Sequence, residues 1–212
     1  MDNFYEIITT SKILWNLIYT RYISMELFSF RWFITVANMA IFYTLLYLII
    51  DRSRLRELFF FGSLLSVGYG YVDTIGTTTA LWAYKSHFLP FKPSLMPYSY
   101  TLHPIIHMFA YQYADNWRRF LITNTFATAF FAFVAQPFYA WVGILWLENW
   151  SYLYSFLIAW SISFVARAVV LWMARVEQNH APRTSRLNLS PALQPAMKPI
   201  DKDNELDNHK RE

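Results

Sequence analysis

Long runs without charge alternate along this chain with short segments that concentrate it. Trp32 to Ile50 is 19 residues free of charged side chains, close to what a helix rising 1.5 Å per residue needs to cross ~30 Å of hydrocarbon. Leu58 to Leu81 is a second run of 24 residues, interrupted only by Asp73. A third span is expected at 95–114, within the uncharged stretch Pro93 to Ala114 that holds three prolines and two histidines. The fourth is expected at 120–141 and the fifth at 152–173, the latter carrying Arg167 near its second end. None of these runs shows the period-two alternation of barrel strands, and only helices or closed barrels satisfy their backbone in lipid. The pattern therefore predicts an all-α, polytopic integral membrane bundle of about five transmembrane helices.

The ends of the chain read differently. Over residues 1–31, Phe4, Ile7, Ile8, Leu14, Trp15, Ile18, Tyr22 and Met25 recur at helical spacing, with Glu6, Thr10, Asn16 and Thr20 facing elsewhere. That is the pattern of an amphipathic helix lying in the interface rather than crossing it. A cleaved signal peptide is not expected, because Asp2 and Glu6 stand where a basic leader would be. From Ala174 to Glu212 there is no Phe, Trp or Tyr, yet the segment holds 13 of the 32 charged residues and 4 of the 9 prolines. It cannot bury a core, and 174–212 is expected to be a disordered cytoplasmic tail.

Composition sharpens the class. The chain is 56% hydrophobic but only 15% charged, whereas soluble domains carry about a quarter charged residues. That deficit argues against a disordered chain or an ordinary cytosolic enzyme. The absence of cysteine removes disulfides, thiolate metal sites and a cysteine nucleophile. With five spans, twelve Lys and Arg fall on the side of the tail and five on the other. The positive-inside rule then puts the amino terminus outside and the tail in the cytoplasm. A net charge of +4 suits a surface beside anionic headgroups, so lipid and membrane proteins, including a second copy, are the expected partners and nucleic acid is not.

Gly62, Asp73, Gly76, Trp82 and Tyr84, then Pro90, Pro97, Pro104 and Tyr111, then Trp117, Phe120, Phe133, Pro137, Trp141, Trp150, Tyr154 and Ser155 form a recognisable series, with Arg31-Trp32 and Asp51-Arg52 before it. On these residues the segment from about Phe30 to Met173 resembles an uncharacterised family of small multi-pass membrane proteins from endospore-forming Gram-positive bacteria. The resemblance implies a plasma-membrane protein with a link to sporulation and carries no catalytic assignment. It also implies that relatives often hold a carboxylate immediately before the proline of the fourth span, where this chain has Gln136.

Asp73 is the sharpest candidate for chemistry, since an Asp near the centre of a membrane helix costs on the order of 2.5 to 3.5 kcal/mol. It can serve as a proton or cation site, or as a hydrogen-bonded packing group. His103 and His107 share a helix face at about the same depth, giving a relay, a polar ligand pocket or packing histidines. There is no glutamate arranged as in a zinc hydrolase motif, so no metal or cofactor is expected. The candidate buried polar site is Asp73, His103, His107 and Gln136. Arg167 is expected to reach the interface by snorkelling, and Trp82, Tyr84, Trp146 and Trp150 to form an aromatic belt among the headgroups, with an aromatic-lined outer pocket as the alternative. Three functional classes follow. The first is a non-enzymatic structural or partner protein of the envelope, the second a small proton-linked carrier using Asp73 with the histidines, and the third a membrane-embedded lipid or isoprenoid enzyme.

Overall fold

The structure, a computed structural model, describes residues 3–91 and 98–180. It contains two compact units, 1–172 and 173–212, and the described part of the second is the end of the last helix. Helix α1, Phe4–Arg21, leads through a widened π turn, Tyr22–Glu26, to a break at Leu27–Ser29 where Phe28 adopts φ 59°. Ser29 then caps α2, Phe30–Ile49, by accepting a hydrogen bond from the Trp32 N–H at 3.3 Å. Asp51 closes the next turn by accepting from the Ser53 N–H and hydroxyl at 2.9 and 2.6 Å. That exposed carboxyl is held below its usual range by the Ser53 hydroxyl first and the Ser53 amide second. The turn runs into α3, Leu55–Thr78.

Helix α3 stops because Ala80 enters the left-handed region at φ 56°, letting the Leu81 N–H return to the Gly76 carbonyl at 2.9 Å. The chain folds back as strand β1, Trp82–Tyr84. After a π turn at Tyr98–Leu102 comes α4, His103–Gln112, with Pro104 in its first turn, where a missing N–H costs nothing. Asn116 caps α5, Trp117–Phe130, by accepting from the Arg119 N–H at 2.9 Å. A third π turn, Phe131–Ala135, joins it to α6, Gln136–Val142, and accommodates Pro137 within one long helical run. Gly143 ends that run at φ 78°. Strand β2, Leu145–Leu147, pairs antiparallel with β1, Trp82 opposite Leu147 and Tyr84 opposite Leu145. Helix α7, Tyr152–His180, completes the chain.

Four of these runs are long and apolar enough to cross a membrane: Phe30–Ile49, Arg52–Thr78, Trp117–Val142 and Tyr152–His180. They fall within a few residues of four expected spans, except that α7 continues seven residues past the expected end at 173. Arg175 and Glu177 are good helix formers, so charge there does not stop a helix already nucleated in the apolar run. The rest of the expected tail, 181–212, lies outside the described residues, as does the 95–97 part of the expected third span. What is described of that span, Tyr98–Gln112, carries the chain from one end of the bundle to the other. The β ribbon marks the first end, and at the second the Gln112 amide accepts from the Asp51 N–H at 2.8 Å and donates to the Ile49 carbonyl at 3.0 Å.

The interior is organised opposite to that of a soluble domain. Phe59, Phe60, Val67, Tyr71, Ile122, Phe126, Leu157 and Val165 are exposed, while Asp73, His107, Asn124, Thr128, Ser163 and Arg167 are buried. In water such an apolar exterior would be an aggregation surface; against lipid it is the expected one. Helix α3 is central, with 39% of its apolar window buried, against 6% for α2. The core joins Leu58, Phe61, Leu65 and Tyr69 of α3 to Ile105, Met108 and Tyr111 of α4 and to Phe120 of α5. Helix α1 buries no side chain. The segment following it is fastened, with Tyr22 donating to the Phe88 carbonyl at 2.8 Å and buried Glu26 holding Arg21 at 3.2 Å and His87 at 2.8 Å.

Candidate functional site

Asp73 lies on α3 a turn and a half before the helix ends, so the reversal at Ala80 brings β1 back over its carboxylate. Tyr84 donates its hydroxyl to Asp73 Oδ1 at 2.6 Å, and Trp82 donates its indole N–H to the same oxygen at 3.3 Å. Burial lifts the Tyr84 hydroxyl well above the usual tyrosine range, and the neighbouring Asp73 charge adds to the shift. Tyr84 therefore stays a donor at any physiological pH. Gly76, on the same helix, makes the fold-back possible: a Cβ there would sit 1.9 Å from the Trp82 ring. The threonines around Asp73 do not supply its donors, since Thr74 and Thr77 return their hydroxyls to the Gly70 and Asp73 backbone carbonyls at 2.8 Å.

Beside this carboxylate is a cavity of about 60 Å³. His103 of α4, Gln136 of α6, Ser99 and Ser155 share its wall with Asp73, and Tyr69, Trp82, Tyr84, Phe131 and Trp150 supply aromatic surface. Trp82 and Trp150 meet at 4.7 Å between ring centroids, inclined by 59°, and the Trp150 N–H is donated to Ser155 Oγ at 2.8 Å. The Gln136 Oε1 is buried and has no hydrogen-bond partner among the described residues. On the far side of β1, Trp82 and Tyr84 also line a groove of about 260 Å³ that reaches Thr77, Glu26 and His87.

Three of the four expected site residues thus converge: Asp73, His103 and Gln136 line one cavity. His107 is not among its lining residues. It lies one helical turn farther from the ribbon, fully buried, with Nδ1 at 2.8 Å from Asn124 Oδ1 and its ring 5.9 Å from Tyr69. His103 packs between Tyr69 and Phe131, at 4.3 and 3.4 Å between ring centroids. Of the two readings of Trp82, Tyr84 and Trp150, the aromatic-lined pocket is the one found rather than the headgroup belt: these residues line the cavity, and Asp73 and Ser155 accept from their polar groups. Trp146 is half exposed, donating to Glu148 at 2.7 Å with Lys85 over its ring at 4.4 Å.

Arg167 also departs from expectation. Rather than reaching out of the bundle it is 96% buried, because the Ala114 carbonyl past the end of α4 accepts from both terminal nitrogens at 3.3 and 3.4 Å. The rings of Tyr111, Trp117 and Phe120 lie within 5.2 Å of its guanidinium carbon. Near it, Tyr111 donates to Glu57, which in turn pairs with Arg54 at 2.9 Å. This cluster closes the end of the bundle opposite the β ribbon. Asn124 escapes sequence reasoning because polar residues of its kind are common in membrane helices, and Trp82 and Tyr84 stand out in the sequence without being tied to Asp73. The Asp73–Gly76 spacing was a signal, but nothing in the sequence tied it to Trp82.

Comparison with family models, curated proteins and solved structures finds no match for this chain. The fold and site therefore define a class and no more. It is a helical bundle with four helices long and apolar enough to cross a membrane, polar side chains turned inward, and a cavity at Asp73 near the ribbon end.

Proposed function

We propose that this chain is a multi-pass protein of a bacterial plasma membrane, akin to the small multi-pass family its residues resemble, and that it acts as a non-enzymatic binding component or carrier through the cavity at Asp73. The supporting observation is the void itself. A carboxylate retained only to fasten β1 to α3 needs no space beside it, since interiors pack to crystal density. Here the carboxylate borders about 60 Å³, room for about two water-sized groups. The proton-linked form of this reading keeps Asp73, His103 and Gln136 and leaves His107 a packing residue paired with Asn124. The twelve-to-five division of Lys and Arg supports an orientation with the amino terminus outside and the carboxyl terminus in the cytoplasm. The small buried share of α2, 6%, supports a lateral surface given to lipid or to a membrane partner.

A second reading, a purely structural envelope protein, draws on the two donors that satisfy Asp73 Oδ1. Asp73→Asn separates the two, because Asn keeps the shape and an acceptor for Tyr84 but cannot carry charge. In the native host, at wild-type abundance, the variant is expected to reproduce the defect of removing the whole chain. Wild-type behaviour at wild-type abundance would leave Asp73 a packing group and overturn the binding reading.

A further inference from the structure

We infer that the Asp73 cavity takes a small cation of the ammonium type, ammonium itself or a short primary alkylammonium. The inference rests on reading this cavity as a ligand site and adds the chemical class of its occupant. The charge balance of the wall comes first. Among the described residues the lining holds one carboxylate, Asp73, and neither Lys nor Arg. Titratable groups facing Asp73 from the packed elements are Tyr84 of β1, which stays protonated, and His103 of α4 and Tyr69 of α3, which share the cavity wall. An anion would meet the carboxylate without a fixed positive group to offset it, and in a medium of low dielectric that repulsion is strong. A cation meets the opposite.

Hydrogen-bond capacity points the same way. The Gln136 Oε1 is a buried acceptor with no partner among the described residues, and Ser155 Oγ already accepts the Trp150 N–H, leaving its lone-pair capacity beside the void. A primary ammonium brings three donors and no acceptor, which matches a carboxylate, an amide oxygen and a hydroxyl. Trp82 and Trp150, packed on each other at 4.7 Å and both on the cavity wall, add aromatic surface for a short alkyl stem. Size sets the limit. At ~25 Å³ per non-hydrogen atom, the ratio at which a cavity of ~150 Å³ holds benzene, about 60 Å³ takes roughly two to three such atoms, which admits ammonium up to ethylammonium and excludes longer or bulkier amines.

The test is calorimetric titration of the full chain in detergent, in phosphate buffer free of amines, with ethylammonium, formamide and formate as probes of three non-hydrogen atoms each and three different charges. Ethylammonium is expected to bind at least about tenfold more tightly than either of the others, equivalent to roughly 1.4 kcal/mol, and Asp73→Asn to abolish the preference. If that variant does not fold, Ile158→Ala carries the test: Ile158 also lines the cavity, the substitution enlarges it without touching the carboxylate, and the preference is expected to move from ethylammonium toward butylammonium. Equal or tighter binding of formate or formamide overturns the cation assignment while leaving the cavity a ligand site. No binding by any probe overturns the assignment too, and the host experiment with Asp73→Asn then decides the parent reading separately.

Discussion

Replacing Gly76 by Ala adds one methyl group at the point where β1 turns back over α3, and its effect can be worked out from the contacts there. The new Cβ would lie 1.9, 2.1 and 2.3 Å from three atoms of the Trp82 ring, so the indole must move by about 1.5 Å or more to reach ordinary contact. It cannot move freely, because Trp82 is paired with Leu147 in the ribbon and packed on Trp150. The displacement breaks the Trp82 hydrogen bond to the Asp73 carboxylate, a loss of roughly 1.5 to 3 kcal/mol for a bond to a charged group. It also disturbs the Trp82–Trp150 contact, a further ~0.5 to 1.5 kcal/mol. Ala is a better helix former than Gly by about 1 kcal/mol, which offsets part, leaving a net destabilisation of roughly 1 to 3.5 kcal/mol. Gly62→Ala is the matched control. There the new Cβ meets the Met108 sulfur at 2.6 Å, a flexible thioether that can swing aside, and the propensity gain makes the change neutral or stabilising by up to about 1 kcal/mol. Thermal unfolding of both variants in the same detergent, followed with near-ultraviolet circular dichroism as a reporter of the paired indoles, gives the comparison. Gly76→Ala with wild-type stability and an unchanged aromatic spectrum, or Gly62→Ala equally damaging, would refute the fold-back of Trp82 onto α3.

Arg167→Lys keeps the charge but loses the planar fork that serves the Ala114 carbonyl and the three rings around it; unfolding in detergent should show a loss of about 1 to 2 kcal/mol. Asn124→Leu strands the buried His107 ring at a cost of roughly 1 to 3 kcal/mol, and adding His107→Leu should recover most of it in a double-mutant cycle; additive losses would show that the two side chains are not coupled. Single cysteines at Ser151 and Ser53, both exposed and near opposite ends of the bundle, test the orientation in a chain without native cysteine. Ser151→Cys should label with a membrane-impermeant reagent in intact cells and Ser53→Cys only after permeabilisation, and the reverse order would invert the topology.

The apolar runs alone determined most of the architecture. A 19-residue stretch such as Trp32 to Ile50 has few alternatives to a helix, because in lipid the backbone must satisfy itself locally. Asp73 was legible for the complementary reason: an isolated carboxylate in such a run is costly enough to require a partner. Which partner it has was not legible. Tyr84 and Trp82 come from a loop whose aromatic composition suits a headgroup belt equally well. Their inward turn depends on the left-handed bend at Ala80, the open face of Gly76 and the pairing of Trp82–Tyr84 with Leu145–Leu147. That pairing joins segments some sixty residues apart, and no local periodicity encodes it. The histidines separate by the same logic. Their four-residue spacing put His103 and His107 on one face, but their partners come from other elements. Tyr69 and Phe131 flank His103 at the cavity, while Asn124 takes His107 one turn deeper. Arg167 shows the limit most plainly, since sequence gives its depth in a span, and only the meeting of the Ala114 carbonyl with the rings of Tyr111, Trp117 and Phe120 decides that a buried guanidinium is cheaper there than one extended to the interface.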